Sequence, residues 1–412
     1  MKCNFGTIEI IKLLLSQPPI LIFRKPLMIK YIFTFLFFPF ISTLFAQVNV
    51  DSTYIDSVNA VTFCAVGDLM CHSTQFKYAQ VSKDSFDFKP VYRYVKPIIE
   101  KADVAIGNLE TTLAGSEREY SGYPNFNSPD EYLEALKYAG FDILITANNH
   151  SLDTGKKGAL RTIQKITEHG LLYNGTNKNE KERDSIRVYE VKGLRLAFLS
   201  YTYGTNNTTP KGQKYLINNI DTLLIKDQLN LAKQLFPDLI MVYFHFGNEY
   251  EREPSKEQRE IVEKTLGYGG DIILASHPHV IQSVQKFESE WGRIDSGFVA
   301  YSLGNFISNQ RWQYSDCGVI LNFTVTKKGD DSKLYLSDLS FVPTWVFKGN
   351  TGIKNEYIIL PSNNNEVDST YKFISEDDLQ AMNESYNDTI EILSKEVGKE
   401  KEAIPQVDAK KE

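Results

Sequence analysis

Residues 142–158 read DILITANNHSLDTGKKG. The stretch begins inside a short apolar run, Phe141–Thr146, whose length and Ile-rich composition suit a buried strand better than a helix. It turns polar at Ala147-Asn148-Asn149-His150 and enters a helical pattern over Lys156–Gly170. Strand, polar tip and helix in that order make one βα unit. Two carboxamides and an imidazole directly after an apolar strand are expensive to bury unless paired, so this tip calls for partners elsewhere in the chain.

The same order recurs on both sides. Val61–Val66 ends at Gly67-Asp68, Ala102–Ile106 at Gly107-Asn108, and Leu239–Phe244 at His245. Asp271–Ala275 ends at Ser276-His277-Pro278-His279, and Val299–Leu303 at Gly304-Asn305-Phe306. Further helical patterns occupy Pro129–Gly140, Ile220–Leu235 and Lys256–Gly269; the first and last of these stop on glycine. This alternation predicts an α/β fold. Ile186–Val191 with Leu194–Tyr201, and Val319–Thr326 with Leu334–Val342, look like hairpins, so the sheets are expected to be mixed.

Composition narrows the function. The chain has 412 residues, 45 Lys+Arg against 52 Asp+Glu, a formal charge of −7 and 42% hydrophobic residues. It is too apolar for a disordered chain. It is also too acidic for a general nucleic-acid binder, which needs a positive field. Only Tyr31–Ala46 (YIFTFLFFPFISTLFA) is apolar for long, and it is short of the ~20 residues of a membrane span. With Met28 and Lys30 before it and the small Ala46 at its end, it has the pattern of a secretory signal, or of an anchor if uncut. Residues 1–27 then look like an over-extended start. Removing 1–46 takes away Lys2, Lys12, Arg24, Lys25, Lys30 and Glu9, which moves the charge from −7 to −11. The expected organisation is a leader over 1–46, a linker over 47–60, one large domain over 61–360, and a polar linker, helix and charged tail over 361–412. The expected location is the periplasm or the outer cell envelope. Three cysteines beyond the leader (Cys64, Cys71, Cys317) make no disulfide framework.

Five of the six histidines (His72, His150, His245, His277, His279) fall at or just beyond strand ends, among Asp, Asn, Gly and Glu. Strand-end crevices are where open α/β sheets bind ligands. The residue types form a nitrogen and oxygen ligand set that suits Zn, Mn, Fe or similar ions without thiolate. Pro278 is expected to hold His277 extended and so to set two imidazoles on a stiff turn. Taken singly, each position has a plainer reading. Asp68 fits a turn or cap, Glu110 fits a helix first-turn carboxylate, and Cys64 and Cys71 fit buried thiols. Arg252 suits either a solvated surface position or an anion clamp.

Six stretches together resemble a known family: AVGDLM (65–70), ADVAIGNLETTL (102–113), DILITANNHSLDTGKKG (142–158), HFGNEYEREPSKEQR (245–259), DIILASHPHVIQ (271–282) and VAYSLGNFI (299–307). In this order they resemble the CapA capsule-biosynthesis (poly-γ-glutamate synthesis) proteins, a branch of the calcineurin-like metallophosphoesterase superfamily. The resemblance implies an αββα sandwich of two mixed β-sheets flanked by helices, with a two-metal centre at the strand ends. Carried over, it makes Asp68, Glu110, Asn149, His245, His277 and His279 metal ligands, with the metal being Mn, Zn, Fe or Mg. It makes His150 a general acid oriented by Asp153. Two departures stand out. Three residues separate Asp68 from His72, where the superfamily has one, which weakens the case for His72 as a ligand. Glu110 stands where the superfamily has a bridging aspartate, lengthening that arm by a methylene. Asn108, Arg252, Glu249 and Asn305 are candidate substrate contacts.

Two functions follow as expectations. One is an exported metal-dependent hydrolase of capsule or poly-γ-glutamate biosynthesis, acting on a phosphoester or related anionic substrate. The other is a non-catalytic accessory subunit that binds an anionic polymer, or a synthase or export partner. Neither involves nucleic acid, and membrane contact is expected only through an uncleaved leader.

Overall fold

The computed structural model describes residues 21–22, 59–327, 333–362 and 371–394. Apart from Leu21–Ile22, the expected leader lies outside these residues, as do most of the linker over 47–60 and the charged tail. No described helix is long and apolar enough to cross a membrane.

Two large sheets face each other. The first is built on four parallel strands: β1 (Asn59–Leu69), β2 (Val104–Leu109), β3 (Ile143–Ile145) and β4 (Leu172–Asn174). In the second, the hairpin β5 (Arg187–Val191)–β6 (Leu194–Thr202) leads into the parallel run β6, β7 (Leu239–His245), β8 (Ile272–Ser276). It ends in β9 (Val284–Glu288), antiparallel to β10 (Ser296–Ala300), which runs parallel to β8. The short β11 (Asn305–Ile307) lies parallel beside β1. Antiparallel strands β12 (Cys317–Lys327), β13 (Leu334–Asn350) and β14 (Asn355–Pro361) extend the first sheet beyond β1.

The layering follows from burial. Phe63, Ile106 and Ile145 of the first sheet meet Phe198, Met241 and Leu274 of the second in a shared core between the sheets. The outer face of the first sheet is covered by α2 (Glu131–Ala139) and α3 (Gly155–Glu168) through Leu133, Leu136, Ile163 and Ile166. The outer face of the second is covered by α4 (Thr222–Gln234) and α5 (Lys256–Tyr268) through Ile225, Leu229, Ile261 and Val262. The expected sandwich of two mixed sheets with helices outside is therefore what forms. Covering both faces makes the central strands continuous apolar runs, and all seven residues of β7 are buried. A final helix, α6 (Glu376–Ser394), packs through Met382 on Trp345, Phe347, Ile358 and Leu360.

Boundaries depart from expectation in a few places. The strand placed at Val299–Leu303 is found at Ser296–Ala300, because the chain from Ser302 turns back to bring Asn305 beside Asp68. The helix stops on Gly140 and Gly269 are as expected, both in the left-handed region. At the start of α5, Ser255 and Gln258 form a reciprocal capping box. Ser255→Ala is expected to cost about 1 kcal/mol, seen as a lower urea midpoint at unchanged m-value.

Candidate metal centre

The carboxyl ends of five parallel strands, drawn from both sheets, meet at one edge. β1 brings Asp68, β2 brings Asn108, and Glu110 follows one residue beyond β2. The turn after β3 carries Asn148, Asn149, His150 and Asp153. β7 ends on His245, and the turn after β8 holds His277 and His279. All of these side chains are buried, five of them (Asp68, Asn108, Glu110, Asn148, His245) completely.

The network is dense, and three of its buried atoms, Glu110 Oε1, His277 Nδ1 and Asp153 Oδ1, have no hydrogen-bond partner. Asp68 Oδ1 accepts a hydrogen bond from Asn108 Nδ2 at 2.8 Å, and Asp68 Oδ2 lies 3.1 Å from His279 Nδ1. Asn108 Nδ2 also reaches Glu110 Oε2 at 3.3 Å, and Asn108 Oδ1 accepts from Asn148 Nδ2 at 3.0 Å. His245 Nε2 lies 2.8 Å from Asn149 Oδ1, and His150 Nδ1 lies 2.7 Å from Asp153 Oδ2. Glu110 Oε1, by contrast, is buried with no hydrogen-bond partner. The Nε2 atoms of His245, His150 and His279 stand 3.8, 3.9 and 3.9 Å from it. Those distances are too long for hydrogen bonds. They match the roughly 3–4 Å separation of donor atoms that each sit about 2.0–2.2 Å from a shared ion.

Among the described residues, two groups of three ligand atoms are compact enough to hold an ion: Asp68, Glu110 and His245, and Glu249, His277 and His279, each set within 4.8 Å. His277 Nδ1 is a second orphaned buried atom. The electrostatics agree. Burial pushes Glu110 well above the usual carboxylate range, and the neighbouring Asp68 charge pushes it further. Burial also opposes ionisation of Asp68, but the hydrogen bond and charge of His279, with His245, outweigh it and hold that carboxyl below its usual range. Burial lowers His245 well below its ordinary value and His277 to about 3, with neighbouring imidazoles adding to both. His245 and His277 are thus held toward the neutral form, the form that binds metal. The donor set fits divalent ions.

The turn bearing the paired imidazoles is stiff, but not in the expected way. His277 has φ +109° and His279 φ +58°, so His277 is not in ordinary extended geometry. Non-glycine residues in this region are strained, and such strain concentrates at functional sites.

Several expected site residues have different roles in the structure. His72 caps α1 (Ser73–Ala79), lies 3.1 Å from Gln75 Oε1 and accepts from the Asn309 N–H, and belongs to neither ligand group. The chain between Asp68 and His72 has already left the strand for this helix. Asn108 and Asn305, expected as substrate contacts, are fully buried and bonded to Asp68 and His279, Asn305 Oδ1 lying 3.1 Å from His279 Nδ1. Arg252 donates to the Asp388 carbonyl on α6 and stacks 4.1 Å over Tyr314. Glu249, expected as a substrate contact, stands with His277 and His279. Sequence reasoning gave no role to Asn148, which ties Asn108 to the Leu109 carbonyl, or to Ser276, 3.3 Å from His245 Nδ1. The position of Asn148 in the NNH tip, and of Ser276 directly before His277, were the available signals. Cys71 is buried and its thiol is pushed up to about 12 by burial, so it is no nucleophile.

The profile of the family described as bacterial capsule synthesis protein PGA_cap matches residues 62–310. The capsule biosynthesis protein CapA of Bacillus anthracis is 28% identical over 306 residues, covering 69% of this chain and 72% of that protein. The PGA biosynthesis protein CapA of Bacillus subtilis (strain 168) is 25% identical over 286 residues, covering 67% of this chain and 70% of that one. Among solved structures, the NAD nucleotidase of Haemophilus influenzae aligns with a TM-score of 0.45 at 13% identity, over 80% of this chain and 63% of its own.

Proposed function

This chain belongs to the bacterial capsule synthesis protein PGA_cap family, and we propose that it is an exported hydrolase of capsule or poly-γ-glutamate biosynthesis whose strand-end centre uses divalent metal to cleave a phosphoester or related anionic substrate. The observation that carries this reading is the partnerless Glu110 Oε1 ringed by three imidazole Nε2 atoms. Asp68, Glu110, His245 and Asn149 would hold one ion, and Glu249, His277 and His279 a second. Metal there supplies Lewis acidity and a water acidic enough to attack near neutral pH. The chain's own residues do the rest. Asn108 and Asn305 fix Asp68 and His279. Asp153 fixes His150 through Nδ1, which leaves Nε2 facing the centre to pass a proton to a leaving oxygen. Export rests on the signal-like run Tyr31–Ala46.

Stripping the protein with chelator is expected to abolish hydrolysis of bis(p-nitrophenyl) phosphate, and re-addition of one of Mn, Zn, Fe or Mg to restore it. A chelated protein of undiminished rate would refute the reading. Asp153→Asn is expected to lower the rate about 10–100-fold at unchanged metal content, since it loosens His150 without removing a ligand. The accessory-subunit alternative holds a partner, or grips a polyanion locally through the metal or through Arg252. The partners of Arg252 on α6 and at Tyr314 weaken only the Arg252 grip.

A further inference from the structure

Three large aromatic side chains that no step above uses stand at the mouth of the metal centre. Tyr203, Tyr250 and Trp312 are 50%, 41% and 51% exposed. Single exposed aromatics are ordinary on protein surfaces. Two of these are instead built onto the candidate ligand residues, and Trp312 onto one of the two. The Tyr203 ring lies 4.5 Å from His277 and 6.3 Å from His245, nearly parallel to the latter, and its N–H donates to the His245 carbonyl at 3.0 Å. The Tyr250 ring lies 6.1 Å from His279, and its N–H donates to the Pro278 carbonyl at 2.7 Å. Tyr250 has φ +66°, a strained setting for an aromatic residue, and its hydroxyl accepts from Gln310. Trp312 meets Tyr250 edge-on at 5.2 Å. Among the described residues, no Lys or Arg pairs with Asp68 or Glu110, so no cationic side chain at these carboxylates takes up a substrate's charge.

We propose that Tyr203, Tyr250 and Trp312 form a rigid stacking face that receives a ring carried by the phosphoester substrate, a sugar or a nucleobase, and so determines which phosphoesters are accepted. This rests on the phosphoester reading above. The metal side engages the phosphate, while the aromatic side engages a flat ring next to it. Such faces gain by apolar contact and stacking, are sequence-tolerant and need no charge. A substrate without a ring would leave the face wet and gain nothing from it.

The test is calorimetric titration of the Mn²⁺-loaded protein with methyl phosphate, glucose 6-phosphate and thymidine 5′-monophosphate. At least one ring-bearing phosphate is expected to bind about 10-fold tighter than methyl phosphate, and which one does so identifies the ring as sugar or base. Tyr203→Leu and Trp312→Leu should each remove most of that advantage at wild-type metal content, and Tyr203→Phe should keep it. Equal affinity for all three phosphates overturns the proposal, as does an advantage that survives both leucine variants. A ring preference without turnover of any phosphoester supports the stacking face and refutes only the hydrolase reading, so the two failures are separable.

Discussion

Asp68→Ala and His245→Ala are each expected to lose both bound divalent metal and hydrolysis of a simple phosphodiester. Asp68 is fully buried between Asn108 and His279. His245 is fully buried on β7 and contacts Asn149, Ser276 and Glu110. Removing either leaves one ligand group with two of its three donors. If metal supplies several kcal/mol of transition-state stabilisation, at 1.36 kcal/mol per factor of ten the rate falls by ~10³-fold or more. Elemental analysis of wild type and both variants, beside their rates, makes the comparison. Circular dichroism separates a lost ion from a lost fold. Equal rates in all three proteins would rule out a hydrolytic centre at these residues. A variant that keeps its metal but loses its rate would move Asp68 or His245 from holding the ion to shaping the reaction.

What could be read from the residues, and what could not, divides by distance along the chain. Parallel strands covered on both faces must be apolar throughout, so β1, β2, β7 and β8 stood out as runs with polar ends. Three-residue strands such as β4 and β11 carry no period, and they exist only because β3 and β1 offer them an edge. The NNH tip announced that it needed partners, because unpaired carboxamides are expensive. It could not say that Asn149 meets His245 from the opposite sheet. The same limit explains the exchange of roles between His72 and Glu249. His72 is close to Asp68 in sequence but is drawn off into a helix cap. Glu249 is distant, yet its loop is pinned to the His277–His279 turn by the Tyr250 N–H on the Pro278 carbonyl. Arg252 shows the same limit: α6, over a hundred residues later, returns to take one of its N–H groups.

Gly67→Ala is expected to be the most damaging single-methyl change near the centre. A Cβ at Gly67 would lie 1.9 Å from the Gly304 carbonyl oxygen and 3.0 Å from its carbon, both backbone atoms. The clash cannot be relieved by turning a side chain. Space beside Gly304 is tight as well, since a Cβ built there would lie 3.0 Å from Ile281 Cγ1 and 3.1 Å from the Cys317 carbonyl oxygen. The Asp68 N–H donates to that same Gly304 oxygen at 2.9 Å, and the next residue, Asn305, reaches His279. Any backbone shift that admits the methyl therefore moves Asp68 away from His279. Overpacking of this kind costs 1–3 kcal/mol and occasionally more, and a backbone clash belongs at the upper end, so the expected loss is ~3 kcal/mol with weakened metal binding. Gly193→Ala is the control: its φ is +82°, so the substitution is strained, but nothing lies within 4 Å of the new methyl. It should cost about 1–2 kcal/mol and leave metal content unchanged. Urea unfolding and elemental analysis of the pair then separate the strain of a positive φ, which belongs to Gly193→Ala, from displacement of the ligand-bearing strand, which only Gly67→Ala produces. If Gly67→Ala proves no more costly than Gly193→Ala and holds its metal, then Gly304 and the turn to Asn305 yield without disturbing Asp68, and the coupling between that turn and the centre is absent.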